Sequence, residues 1–292
     1  MSSANYEVVL TNRLGNRAIN QDRIATAERG DALLLMLADG MGGHARGELA
    51  AQTLIDSVSR SFRNVSLPVS KPENFLQQAL KIAHQEVAEA GRHSNPPIEP
   101  RTTAVICLIQ GSDACWAHLG DSRLYYLRDG EIIVRTRDHS YVEDLLRSGK
   151  IKRSEVEHHP MRNTVTQCVG GSKSAQTPAF DSASLEPGDE LLLCSDGLWN
   201  SLKESLLIKA LEEEDLDQAA DQLADQAELS SYPHSDNISL IAFRYLTNNS
   251  AEESEKPIVK PTPSQQGGSL DQALDEIERA LDKYGSEMGD PK

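Results

Sequence analysis

Two apolar runs in this chain stop on the same dipeptide. Leu33-Leu34-Leu35-Met36-Leu37-Ala38 runs into Asp39-Gly40-Met41-Gly42-Gly43-His44, and Leu191-Leu192-Leu193-Cys194-Ser195 runs into Asp196-Gly197. A short apolar run bounded by turn residues reads as a buried strand. Each carboxylate is therefore expected where a strand stops, fixed by the core yet open to water. Rigid oxygen donors of that kind suit a hard divalent cation such as Mg²⁺ or Mn²⁺. Taken alone, each Asp-Gly reads as the opening of an ordinary turn. The company they keep separates the two readings. Asp22 closes Arg17-Ala18-Ile19-Asn20-Gln21-Asp22 after the first strand, Asp121 stands in Leu119-Gly120-Asp121-Ser122-Arg123 between two strands, and Asp236 in Ser235-Asp236-Asn237 precedes the last. Scattered surface acids would show no such preference for strand boundaries.

Those boundaries need elements to hold them. Strands are expected over Tyr6–Thr11, Ala32–Ala38, Thr102–Gln110, Ala114–Leu119, Leu124–Arg128, Glu131–Arg135, Glu190–Cys194 and Ile238–Tyr245. Asp129-Gly130 between two of them is a favoured hairpin turn. Helices are expected over Gly47–Phe62 and Pro72–Gly91, the second with Phe75, Leu76, Ala79, Leu80, Ile82, Ala83 and Val87 in one apolar stripe. Shorter ones are expected near Tyr141–Ser148 and Ser154–Glu157, then Lys203–Glu213 and Leu216–Glu228. Hairpins followed by helix pairs, with no regular βαβ alternation, point to an α+β fold of antiparallel sheets covered by helices.

Bulk properties exclude several classes of function. At 292 residues with a net charge of −16, the chain would be repelled by nucleic acid and by anionic membrane. No apolar stretch approaches the ~20 residues that span a bilayer, and MSSANYEVVL has no signal-peptide pattern. Cys107, Cys115, Cys168 and Cys194 lack the paired spacing of a zinc site and fit a reduced, cytoplasmic compartment. Residues 1–245 read as one globular domain. Residues 246–268, rich in Asn, Ser, Glu and Pro, read as a disordered linker, and 269–292 as an amphipathic helix and tail with Leu270, Leu274, Ile277 and Leu281 on one face. That helix either folds back on its own domain or docks a partner.

In order along residues 6–245 come RxxNQD, ADGMGGH, a Thr-Thr strand, GDSR, DH, Asn163-x-x-x-Gln167-x-x-Gly170, SDG and DN. This series resembles the metal-dependent protein phosphatases, the type 2C serine/threonine family, in its bacterial spelling. The resemblance implies a four-layer α-β-β-α sandwich of two antiparallel sheets flanked by helices. It implies two Mn²⁺ or Mg²⁺ ions, with Asp39 bridging them and the Gly40 carbonyl completing one shell. Asp196 and Asp236 would hold the other ion, Asp22 would serve the first, and Asp121 would help hold a third, weaker one. Arg17 matches the phosphate-binding arginine, whose fork suits a phosphate better than a lysine. A water shared by two ions loses its proton near neutral pH and can attack a phosphomonoester.

His44 could donate a proton or orient a water; alternatively it fixes its loop. The family's animal branch places its proposed general acid directly after the first Asp-Gly, where this chain has Met41. The segment of about 138–169 corresponds to the flap beside the metal cleft, and its charges suit either a cover that meets substrate or plain solvated surface. Arg101 stands where the family usually has Gly before its Thr-Thr pair, tolerable unless that backbone requires positive φ. Ser122 and Ser195 read as structural hydroxyls, Asp138-His139 as a turn, and His158-His159-Pro160 as loop. The function implied is hydrolysis of phosphoserine and phosphothreonine in proteins by a monomer, opposing a Ser/Thr kinase. The alternatives are a phosphatase of the same fold acting on a phosphorylated regulator or small phosphoester, and a catalytically weak phosphoprotein-binding or scaffold module.

Overall fold

The computed structural model describes residues 6–41 and 46–246. The chain opens with strands β1 (Tyr6–Arg13), β2 (Asp22–Arg29) and β3 (Ala32–Met41), then two long helices, α1 (Gly47–Asn64) and α2 (Pro72–Arg92). Strands β4 (Arg101–Thr102), β5 (Ala104–Gln110), β6 (Asp113–Leu119), β7 (Arg123–Arg128) and β8 (Glu131–Arg135) follow. After the short helices α3 (Tyr141–Arg147) and α4 (Arg153–Val156) come β9 (Val169–Gly170), β10 (Ala179–Ser184) and β11 (Glu190–Cys194). Helices α5 (Asp196–Trp199), α6 (Glu204–Leu211) and α7 (Leu216–Ser231) lead into β12 (Ile238–Tyr245).

The strands form a five-stranded sheet ordered β1-β12-β11-β7-β8 and a seven-stranded sheet ordered β10-β6-β5-β3-β4-β9, with β2 also paired to β3. Every pairing is antiparallel. The period of two in a strand sends alternate side chains to opposite faces, and β3 shows the result. Leu34, Met36 and Ala38 pack with α1 and α2, while Leu33, Leu35 and Leu37 pack into the space between the sheets. In β11 likewise, Leu191 and Leu193 face the other sheet while Leu192 and Cys194 face the residues of α6 and α7. Apolar contact on both faces explains the unbroken apolar runs. The layers are helix, sheet, sheet, helix, an α+β sandwich.

The structure alters several expectations. β3 does not stop at Ala38; it continues through Asp39 and Gly40 to Met41, because β2 pairs along one side and β4 along the other. The strand expected over Thr102–Gln110 is interrupted at Thr103, although its register against β3 is unbroken, with Leu37 opposite Val105 and Gly40 opposite Thr102. β2 and β10 are edge strands that sequence pattern missed: DRIATAER and AFDSAS are poor in the β-branched and aromatic residues that mark buried strands. Asp129 and Gly130 both have positive φ (50° and 72°), as a two-residue hairpin between β7 and β8 requires. Arg101 is not among the positive-φ residues, so its Cβ costs nothing in backbone strain. All four cysteines are free, Cys168 half-buried and the rest buried. The expected linker after Leu246 and the helix over 269–292 lie outside the described residues.

Candidate metal centre

Asp22 and Asp39 are cross-strand neighbours, paired in the β2–β3 register. Directly opposed like charges in a sheet repel, so the backbone around them must be held firmly. Thr103 N donates to the Asp39 carbonyl at 2.8 Å, and the Thr102 hydroxyl donates to the same oxygen at 2.9 Å. In return, Asp39 N donates to the Thr103 hydroxyl at 2.9 Å. That hydroxyl lies 2.7 Å from the Ser122 hydroxyl, which ties the loop bearing Asp121 to the strand bearing Asp39. Gly40 is pressed against the start of α1, where a Cβ would overlap the backbone of Gly47, and its N–H donates to the Gln21 carbonyl at 3.2 Å.

A second group gathers where β12 begins. Arg13 pairs with Ile238, so the segment after β1 and the segment before β12 lie side by side. Asn16 N donates to the Ser235 carbonyl at 3.0 Å. Asn237 accepts from Gln21 N and donates to the Leu14 carbonyl, each at 2.8 Å. Asn237 thereby holds the residue before Asp22 beside the residue after Asp236. Arg17 Nη2 meets Asp236 Oδ2 at 2.6 Å, with both side chains well exposed. Asp196 heads α5, and the Ser195 before it exchanges hydrogen bonds with Ser239 of β12, each at 3.0 Å.

Charge crowding shows that these acids share one region. Loss of hydration, then Asp22, Asp196, Asp121 and Asp236 in that order, holds the Asp39 carboxyl well above the usual carboxylate range. Asp22 is raised by burial first, partly offset by the hydroxyls of Ser195 and Ser239, with Asp196 and Asp236 adding repulsion. Asp196 is raised by burial and then by Asp236, while Arg17 works in the opposite direction. Asp121 is pushed up to about 7 by burial, by Asp196 and by Asp138. Asp22, 1% exposed, keeps its Oδ2 without a hydrogen-bond partner. A buried carboxylate oxygen without a donor is costly, and a cation would satisfy it. Among the described residues no three His, Cys, Asp or Glu side chains form a ready-made cage. An oxygen-only set that leaves part of each shell to backbone carbonyl and water is how Mg²⁺ is usually held.

The structure thus gathers Asp22, Asp39, Gly40, Asp121, Asp196, Asp236 and Arg17 at one end of the sandwich. His44 lies outside the described residues. Sequence reasoning missed Thr103 and Asn237 as supports, although both sit within quoted motifs. It also missed the Arg123 clamp. Arg123 forks onto Asp138 with two 2.8 Å bonds and lies 3.6 Å over the Trp199 ring, joining β7 to the far end of α5. His139 Nδ1 accepts from Gly120 N at 3.2 Å and its ring stacks on His118, so Asp138-His139 braces the loop of Asp121. His159 packs against Tyr141.

Comparison with known proteins agrees with this fold. Residues 11–232 match the family model described as protein phosphatase 2C. PhpP of Streptococcus pneumoniae serotype 2 is 33% identical over 202 residues, spanning 68% of this chain and 81% of PhpP. The solved serine/threonine phosphatase of S. agalactiae has a TM-score of 0.76 at 30% identity, covering 83% of this chain and 100% of that one. The catalytic domain of the phosphatase PstP, solved in complex with two manganese ions, has a TM-score of 0.72 at 28% identity, covering 83% and 99%. The chain belongs to the protein phosphatase 2C family.

Proposed function

We propose that this enzyme hydrolyses phosphoserine and phosphothreonine in proteins with the help of Mn²⁺ or Mg²⁺, opposing a Ser/Thr kinase in the cytoplasm as a monomer. Among the described residues no helix is long and apolar enough to cross a membrane. The observation that carries the reading is the pair Asp22 and Asp39. They are opposed in register, Asp39 is raised by burial and then by the charge of Asp22, and Asp22 holds an orphaned buried oxygen. In this reading Asp39, the Gly40 carbonyl and Asp22 would hold one ion, Asp39, Asp196 and Asp236 would hold the other, and Asp121 would help hold a third, weaker one. The ions, when bound, neutralise the phosphate and lower the pKa of a water that attacks it.

The chain's own residues do the rest. Arg17, exposed beside Asp236, offers its fork to two phosphate oxygens and fixes the orientation of the ester. Thr102 and Thr103 hold the Asp39 backbone still, so the carboxylate needs little reorganisation. From Asp121 a cleft of about 480 Å³ runs beneath residues 138–163, past Arg123, Arg135, Arg153 and Arg162. We assign the peptide around the phosphoresidue to that cleft, with residues 138–169 as its cover, and keep His44 as the candidate proton donor. Hydrolysis of an aryl phosphate and of a phosphothreonine peptide should require Mn²⁺ or Mg²⁺ and stop on chelation. Turnover that survives chelation would overturn the reading.

A further inference from the structure

His84 sits on α2 among the core residues Leu80, Ala83 and Val87, and is itself 6% exposed. Both ring nitrogens are engaged, Nδ1 3.1 Å from Gly170 N and Nε2 2.9 Å from the Lys173 carbonyl. A backbone N–H only donates and a carbonyl only accepts, so the partners fix the neutral ring with its proton on Nε2. The ring therefore pins both ends of the turn Gly170–Lys173 to the helix. Gly170 closes the motif Asn163–Gly170. Its φ is 90°, and a Cβ there would overlap both the Pro100 carbonyl and Val87, so the strand lies hard against α2.

What is pinned leads straight to Asp39. β9 pairs Val169 and Gly170 with Thr102 and Arg101, and β4 pairs those same residues with Gly40 and Met41. Thr102 and Thr103 then hold the Asp39 carbonyl. β4 and β9 have two residues each, and β9 ends the strand order of its sheet. So short a ladder contributes little order by itself. On its outer side, α2 supplies the support through His84 and Val87.

We propose that His84 is a positioning residue for the metal centre. By fastening β9 to α2 it keeps β4 in register against Asp39 and Gly40. The inference rests on the metal site proposed above, and its test uses the full chain. Mn²⁺ affinity is measured by calorimetry, and backbone amide exchange of residues 101–103 and 169–171 is measured in chelator. His84→Leu keeps bulk and removes both hydrogen bonds. His84→Asn restores an acceptor at the reach of Nδ1. A thermal melt confirms that each variant folds.

His84→Leu should bind Mn²⁺ about tenfold more weakly, the scale of one lost buried hydrogen bond. It should also exchange both amide segments faster, and His84→Asn should recover most of each loss. A folded His84→Leu protein with wild-type Mn²⁺ affinity and exchange would overturn the inference, as would His84→Asn behaving no better than His84→Leu. If His84→Leu fails to fold, His84→Asn against His84→Gln decides, because Gln reaches Lys173 and misses Gly170. Equal Mn²⁺ affinity for those two would then overturn the role. A wild-type chain that binds no Mn²⁺ removes the metal centre and this inference together, whereas intact wild-type binding with unaltered variants removes only His84.

Discussion

Asp39 and Asp196 are held by opposite means. Asp39 lies inside a strand paired on both sides, its N–H and carbonyl both bonded to Thr103, its nearest charged neighbour another acid. Asp196 begins a four-residue helix with no side-chain cap, close to Asp236 and so to the cation of Arg17. One flank of the centre is held by strand pairing and crowded with negative charge; the other is tied to β12 through Ser195 and already carries a counter-charge. A site that must release product and reload gains from such a division, since the paired strand keeps the geometry while the flank with its own counter-charge exchanges partners.

The largest expected effect separates the flanks directly. Asp39→Asn should lower turnover about a thousandfold or more, and raised Mn²⁺ should not recover it, whereas Asp196→Asn should cost about a hundredfold and recover in part as Mn²⁺ is raised. Equal, metal-insensitive losses in steady-state kinetics would abolish the distinction. Next, Arg17→Lys keeps the charge and loses the fork, so KM for a phosphopeptide should rise about tenfold with a smaller change in kcat. Thr103→Val then tests the strand-paired flank. It orphans the Asp39 N–H and should cost about 1–3 kcal/mol in urea unfolding, together with weaker Mn²⁺ binding. A stability loss with unchanged Mn²⁺ affinity would show that the bracing is unconnected with the ion.

The smallest effect is one of pH. Carboxyls raised in the folded state bind protons that the unfolded chain has already released. Their contribution to stability is therefore complete below the ordinary Asp value and is lost as pH rises toward 7, where Asp121 titrates. The melting temperature of chelated protein should thus fall by a few degrees between about pH 4.5 and pH 7.5, and saturating Mn²⁺ should remove or reverse that fall. A flat profile in chelator would mean that the acids lie farther apart than their mutual repulsion indicates.

How much was legible in the sequence depended on which force placed each residue. β3, β11 and α2 were readable because burial on fixed faces writes a period into the chain. β2 was not, because an edge strand with one half-covered face tolerates Ala, Thr and charge. That omission also misplaced Asp39, which seemed to end a strand only while its partner strand was unseen. The acids of the centre were found through their motifs. Their supports were harder: Thr103, Asn237 and His84 each act through a pair of hydrogen bonds to distant backbone, which no local pattern announces.

The ion pair between Arg17 and Asp236 has a thermodynamic consequence. A phosphate that takes Arg17 leaves Asp236 with its full charge for a cation, and a cation on Asp236 leaves Arg17 free for phosphate. Binding linkage is reciprocal, so each ligand should raise the affinity for the other by the same factor. The resting pair would then act as a mutual lock, weakly receptive to a stray anion or a stray cation and opened most readily by the two together.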